Sequence, residues 1–541
     1  MLTIFEAKRI ITMDPSLPIA THIAVKEGRV LGVGPLEELK DLGEYRLDQQ
    51  FADKYIYPGF VEGHSHALEG AMWKYLYLGY FPRYDPQGKY WDGCQNLVAI
   101  QQKLLQQAQQ LPAGKPLIAW GFDPVYFDGE RLDKAIIDEV VADRPVVVFH
   151  ANLHLMTVNE AMLRQTNLAQ SQIEGVMRTE DGAPNGELRE MAAMHAVFEA
   201  LGQSIFDEVA SLETLKQYAL AAQRTGITTI TDLYNPLSDQ GVAVLKEATS
   251  QTDYPVRLVP AMAALEWQSS QGIERVQQCQ QANTDRLHFG LVKLMTDGSI
   301  QGFSARMRWP GYHNGQENGI WNAPPATLKQ MVMDYHQAGL QLHIHTNGDE
   351  AVELMLDAIE EAQTLWYRPD HRHTLQHCQF ISQAQMRRAA KLGVCLNMFV
   401  NHIYYWGDIH RQSTLGYSRS RRMQPLRSAY ELGIPVAMHS DAPVTPLGPL
   451  FSMWCALARR TATDQVLGEY EALSMDQALY AVTLGAAYTL HLDDQVGSLE
   501  VGKYADMVVL EHDLYATTPD QLRDMTVHAT VVGGQVHVVR T

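Results

Sequence analysis

Eight short apolar runs rich in β-branched residues recur through the middle of the chain: Tyr55–Phe60, Ile227–Thr231, Val256–Ala261, Phe289–Met295, Leu340–Ile344, His373–Cys378, Val394–Met398 and Ile434–Met438. Helical patterns such as Leu328–Ala338 and Ala351–Leu365 lie between them. Runs of this kind alternating with helices are the mark of parallel strands joined by helical crossovers. A count of eight points to closure, so the expected core is α/β, a (β/α)8 TIM barrel.

The two ends read differently. Thr3–Ile11, His22–Val25 and Arg29–Val33 are short strand patterns, and Lys26-Glu27-Gly28 is a tight-turn signal between the last two. At the far end Asp506–Leu510 and Val527–Val539 alternate or run apolar around Gly533-Gly534. Both termini are therefore expected to build one small β-sandwich, residues 1–57 plus 486–541, beside a barrel spanning 58–485. Residues about 68–210 are too long for one crossover and hold their own strand candidates, Leu117–Trp120 and Pro145–Phe149, so they are expected to form an inserted subdomain. A length of 541 residues suits such a division.

Charge and composition narrow the partners. A net charge of −19 argues against nucleic acid or an anionic membrane as the main partner and leaves a small molecule as the expected one. No stretch approaches the ~20 apolar residues of a membrane helix, and MLTIFEAKRIITMD lacks the regions of a secretory signal. Cys94, Cys279, Cys378, Cys395 and Cys455 are scattered with no CxxC pair, as for reduced thiols. A cytoplasmic location is expected.

The ends of the eight runs carry the chemistry. The first leads into Gly63-His64-Ser65-His66, where residues two apart on an extended chain face the same way and both imidazoles can reach one cation. The fourth holds Lys293 within apolar neighbours and continues to Thr296-Asp297-Gly298. The fifth gives His343-Ile344-His345-Thr346-Asn347, the sixth His373-Thr374-Leu375-Gln376-His377, and the eighth His439-Ser440-Asp441-Ala442-Pro443. Taken singly each has a bland reading. Lys293 can snorkel from a strand edge, His343 and His373 can be satisfied core histidines, and Asp441 can cap a turn. A barrel, however, gathers the C-terminal ends of its strands around one pocket, so His64, His66, Lys293, His345, His377 and Asp441 are expected to converge.

This set resembles the amidohydrolase superfamily, and specifically amidohydrolase family 3, the branch that includes N-substituted formamide deformylase. The resemblance runs nearly the full length, through Pro58–His66, Val292–Ser299, His345–Asp349, His377, Ser440–Pro443 and Gly497–Asp506, with His154, Val158-Asn159 and Asn185-Gly186-Glu187 in the insert. It implies a metal-dependent hydrolase cleaving a carbon–nitrogen bond other than a peptide bond, in an amide, N-formyl or cyclic amide substrate. By resemblance, His64, His66 and Asp441 hold one metal, and His345 and His377 a second. Lys293 bridges them as a carbamate formed with CO2. The metals are expected to be two Zn2+ per chain, or another divalent pair. Asp441 is the expected proton carrier. A homodimer is expected from the superfamily alone.

Two features depart from the family pattern. Ile300–Arg306 is longer than the usual stretch of small residues before the arginine, and His439 stands where many relatives have no histidine. On strand alternation His439 faces with Asp441, as an extra ligand or a substrate contact. His154, Arg306 and Trp120 are the other expected substrate contacts. Trp120, Phe122, Trp309, Tyr312, Tyr404, Tyr405 and Trp406 fall on pocket-loop candidates, though packing is the simpler reading for most. Two rival readings remain: a single-metal deaminase on the same barrel, from which the strand-four lysine would be absent, and a catalytically silent regulatory protein that keeps the fold.

Overall fold

The computed structural model describes residues 1–127, 130–173, 175–202 and 204–539, with only the backbone of 206 and 207. Positions 128, 129, 174 and 203 of the expected insert, and 540 and 541 at the end of the expected β-sandwich, lie outside the described residues. The chain divides into two compact units, 1–66 with 219–442 and 447–541, and 67–218 with 443–446.

The first unit contains a nearly closed parallel barrel. Its strands are β1 (Phe60–Glu62), β2 (Ile227–Asn235), β3 (Arg257–Ala263), β4 (Leu291–Met295), β5 (Gln341–Thr346), β6 (Thr374–His377), β7 (Cys395–Met398) and β8 (Val436–Met438), each hydrogen-bonded to the next in parallel. Among the described residues no ladder joins β8 to β1. The loops beyond them are sewn together instead: Asp441 N–H donates to His64 O at 3.1 Å, and His66 N–H to Ala442 O at 2.9 Å. Helix α1 (Pro325–Gln337) precedes β5 and α2 (Asp349–Leu365) follows it.

The first apolar run needs a correction. Tyr55–Pro58 belongs to a terminal-sheet strand, Tyr45–Pro58, not to the barrel. Its backbone groups are already committed, to Leu2–Ile11 on one side and Met507–Leu510 on the other. Gly59 makes the crossing between sheets possible, because a Cβ there would lie 2.1 Å from the Thr228 hydroxyl. The barrel strand starts only at Phe60. His64 and His66 therefore follow it in a bend and are not strand residues.

Both termini share one seven-stranded sheet, in which Met507–Leu510 hydrogen-bonds between Tyr45–Pro58 and Val527–Val532. Glu27 and Gly28, at φ 53° and 77°, make the two-residue hairpin expected after Lys26. Phe5, Phe51, Ile56, Met507 and Val531 pack together as its core. The sheet is pinned to the barrel by the buried guanidinium of Arg257 on β3, which forks onto Asp506 at 2.6 and 2.9 Å while lying over the Tyr504 ring.

The second unit is built on a six-stranded mixed sheet whose central strands are Leu117–Phe122, Val146–His150 and Leu155–Val158. Alternation divides its core: Val147 and Phe149 pack on one face with Trp120 and Met156, Val146 and Val148 on the other with Leu117 and Phe122. Among the described residues no helix is long and apolar enough to cross a membrane.

Candidate metal centre

The loop after β1 and the ends of β4, β5, β6 and β8 meet in one buried cluster of imidazoles, an amine and a carboxylate. His64 lies at its centre. Its Nε2 is 3.1 Å from Lys293 Nζ and 3.3 Å from Asp441 Oδ1, and its ring centroid is 4.7 Å from that of His377 and 4.5 Å from that of His439. His66 Nε2 reaches the same Asp441 oxygen at 3.2 Å, while His377 Nδ1 is 3.8 Å from Oδ2. The His345 ring stands 4.5 Å from His377, edge-on. The six residues expected around a cation pair thus form one connected set.

Backbone conformation helps present them. His377 and Asp441 have φ of 66° and 56°, left-handed values that only a few per cent of non-glycine residues adopt, although histidine and aspartate are among those that do so more often. Such strain persists where surrounding structure enforces it, often at functional sites. At His377 it breaks strand alternation, so both Gln376 and His377 serve the cluster.

Electrostatics follow from burial. Lys293 is fully enclosed, and desolvation pushes its ammonium down to about 7 against the opposing pull of Asp441. Burial also drives His64 and His377 well below the usual imidazole range and His439 to about 3, so all three are neutral donors of a lone pair at pH 7. Desolvation works to raise the Asp441 carboxyl, but the hydrogen bond and electrostatic pull of His66 lead the effects that prevail and hold it at about 2.

These residues fit a divalent cation. One ligand atom from each of His64, His66 and Asp441 lies within 4.8 Å of the others, and the same holds for His64, His377 and His439. Neither ring nitrogen of His377 or His439 has a hydrogen-bond partner among the described residues. A buried polar atom left unpaired costs about 1–3 kcal/mol, and unpaired imidazoles gathered beside a carboxylate suit a metal better than an apolar filling.

Three supporting groups were not singled out by the sequence. Gln376 bridges two histidines, accepting from His64 Nδ1 at 2.8 Å and donating to His343 Nδ1 at 2.7 Å. This fixes His64 with its proton on Nδ1 and its Nε2 lone pair toward Lys293 and Asp441, as an outer partner of a metal-binding imidazole does. Its signal in the sequence is an amide inside an otherwise apolar strand. Asp297 accepts the amides of Asn347 (3.1 Å), Gly348 (2.9 Å) and Arg306 (3.0 Å), fastening the loop after β4 to the start of α2. Burial still pushes its carboxyl up to about 7. Glu62, raised to about 8 by burial, accepts the Ser440 amide at 2.9 Å across the seam between β1 and β8.

Other expected contacts have different occupations. Arg306 directs its guanidinium to Glu350 (3.0 and 3.1 Å) and to Gly319 O (2.7 Å), fastening a loop. Its partner lies 44 residues away, which hid this from the sequence. Trp120 is a core side chain of the second unit, edge-on to Trp73. His154, in the same unit, pairs with Glu190 at 3.1 Å. Trp406 and Tyr312 are buried as packing predicts, whereas Trp309 is 95% exposed.

Residues 52–538 match the family described as "Amidohydrolase family", and the chain belongs to it. The chain is an amidohydrolase-family metal-dependent hydrolase. Among curated relatives, "Protein LONG AFTER FAR-RED 3" of Arabidopsis thaliana is 26% identical over 97% of this chain and 90% of that protein. The N-substituted formamide deformylase of Arthrobacter pascens is 23% identical over 98% and 97%. The fold is shared with an uncharacterized metal-dependent hydrolase of Pyrococcus horikoshii, at TM-score 0.74 and 18% identity, covering 96% of this chain and 99% of that one.

Proposed function

We propose that this chain hydrolyses a carbon–nitrogen bond of a small amide, N-formyl or cyclic amide compound at a two-metal centre held by His64, His66, Lys293, His345, His377 and Asp441. The observation that carries the reading is Lys293: an amine fully enclosed among imidazoles, 3.1 Å from His64 Nε2. A buried lysine is costly unless it is neutral or modified. With its ammonium brought down to about 7, a large share of the side chain is the free amine at neutral pH. That amine can attack CO2: the nitrogen lone pair forms the N–C bond, one C=O electron pair moves to oxygen, and the nitrogen gives up a proton. The product offers two oxygens sharing one negative charge, where an ammonium offers none. The same feature weighs against the single-metal deaminase reading.

Bound divalent ions supply Lewis acidity and bring a water's pKa toward neutrality. The chain's own groups supply the rest. Asp441, whose carboxylate lies 3.3 Å from His64 Nε2 and 3.2 Å from His66 Nε2, is placed to take a proton and pass it to a departing nitrogen. Gln376 keeps the His64 Nε2 lone pair turned inward, and the seam hydrogen bonds at His64 and His66 hold Asp441 beside both imidazoles. That the Arthrobacter relative is an N-substituted formamide deformylase adds support for an N-formyl substrate.

The test is a screen of N-formyl, N-acyl and cyclic amides with purified metal-replete protein, His64→Ala serving as control. Release of amine or ring-opened acid by the parent and not by the variant is expected. Turnover that persists unchanged in His64→Ala would remove the assigned site.

A further inference from the structure

We propose that His439 is itself a metal ligand of this centre, an additional imidazole beyond the six residues above; the inference rests on the metal-centre reading. His439 follows β8 directly and is buried. Its ring stacks on that of His64 at 4.5 Å and 17° and on that of Phe399 at 5.0 Å and 25°. Stacking of this kind fixes the ring and leaves only its edge to interact. The edge carries the two nitrogens, and an imidazole binds a cation in the ring plane through such a lone pair.

Neither nitrogen has a hydrogen-bond partner among the described residues. The surrounding histidines show what that means. His64 satisfies Nδ1 on Gln376, and His343 satisfies Nδ1 on the same amide. His377, an expected ligand, shares with His439 the property that both nitrogens are unpaired. A histidine serving only to fill space beside a carboxylate has every reason to turn an N–H toward it, since a buried unpaired donor costs about 1–3 kcal/mol.

Geometry is compatible with one ion. One ring nitrogen from each of His64, His377 and His439 lies within 4.8 Å of the others. Two ligands of one zinc can be at most about 4.2 Å apart, twice a bond of about 2.0–2.1 Å. The spacing of one nitrogen per ring is on the scale of a coordination sphere.

The direct experiment uses the unmutated chain: a crystal structure of the zinc-loaded protein, with zinc located by anomalous scattering. A His439 nitrogen at about 2.0–2.1 Å from a zinc is expected; nitrogens all beyond about 3 Å, including the case of a substrate-facing ring, overturn the inference. In solution, zinc affinity by chelator competition is compared for the parent, His439→Phe and His439→Gln, with His377→Phe as control. Phe keeps the stack and Gln keeps polarity. Both should weaken one zinc at least about tenfold, the loss that removal of even an outer partner of a ligand produces. If His377→Phe loses zinc while both His439 variants bind within twofold of the parent, only this inference falls. If the parent binds no metal, the underlying metal-centre reading falls as well.

Discussion

Two groups of buried histidines lie at opposite ends of the barrel strands, and they differ in where their nitrogens go. Beside the starts of β5 and β6, His336, His371 and His373 form a closed network. His373 Nε2 and His336 Nδ1 are 2.8 Å apart, His336 Nε2 donates to Trp366 O, His371 Nε2 donates to Leu392 O, and the remaining nitrogens of His371 and His373 accept the amides of His373 and Leu342. At the other end His377 and His439 leave both nitrogens unpaired. Burial depresses the basicity of both groups alike. Depth and perturbed ionisation therefore do not separate a latch from a site; the fate of each lone pair does.

Breaking the two groups should have opposite consequences. At the metal end, Asp441→Asn should lower kcat for any substrate found by about 10²–10⁴-fold, the usual worth of a positioned proton carrier, with a denaturation midpoint close to the parent's. Gln376→Leu should come next, weakening metal binding by about 10–100-fold as outer partners of ligands do. Chelator competition measures it, and restoration by Gln376→Asn is not expected, because the shorter amide cannot span two rings.

At the latch end, His373→Ala should leave metal content unchanged yet cost about 2–5 kcal/mol in denaturant unfolding, since it opens a cavity and strands His336 and the Leu342 amide. A metal loss in this variant with unchanged stability would reverse the contrast. The smallest effect is one of pH. His371 is held at about 4 when folded, against about 6.5 in an unfolded chain. The unfolded state therefore binds the proton first. The stability this neutral ring contributes is complete above about 6.5 and declines as pH falls toward 4. His371→Gln should flatten that limb of the stability curve.

Much of the metal end is legible in the sequence because strand ends of a barrel converge. His64, His66, His345, His377 and Asp441 each follow or close an apolar run, Lys293 lies within one, and the (β/α)8 pattern says where such residues meet. What escapes that logic depends on partners distant in the chain or on local breaks in regularity. Alternation turns Gln376 away from His377, but the left-handed φ of His377 brings both inward. Asp297 acts through backbone amides about fifty residues later, which no side-chain pattern reports. Arg306 reads as a substrate contact, with no sign in the sequence of Glu350 beside it. The run at Tyr55 reads as barrel because it is apolar, yet its pairing with Leu2–Ile11 and Met507–Leu510 claims it for the terminal sheet.

The most direct measurement is metal analysis of protein purified from metal-replete medium, alongside Lys293→Ala. The account predicts about two divalent ions per parent chain, as a bridged two-metal site requires, and a reduced count in the variant with its fold preserved. A parent chain that carries none, or a variant that keeps the full complement, would contradict it.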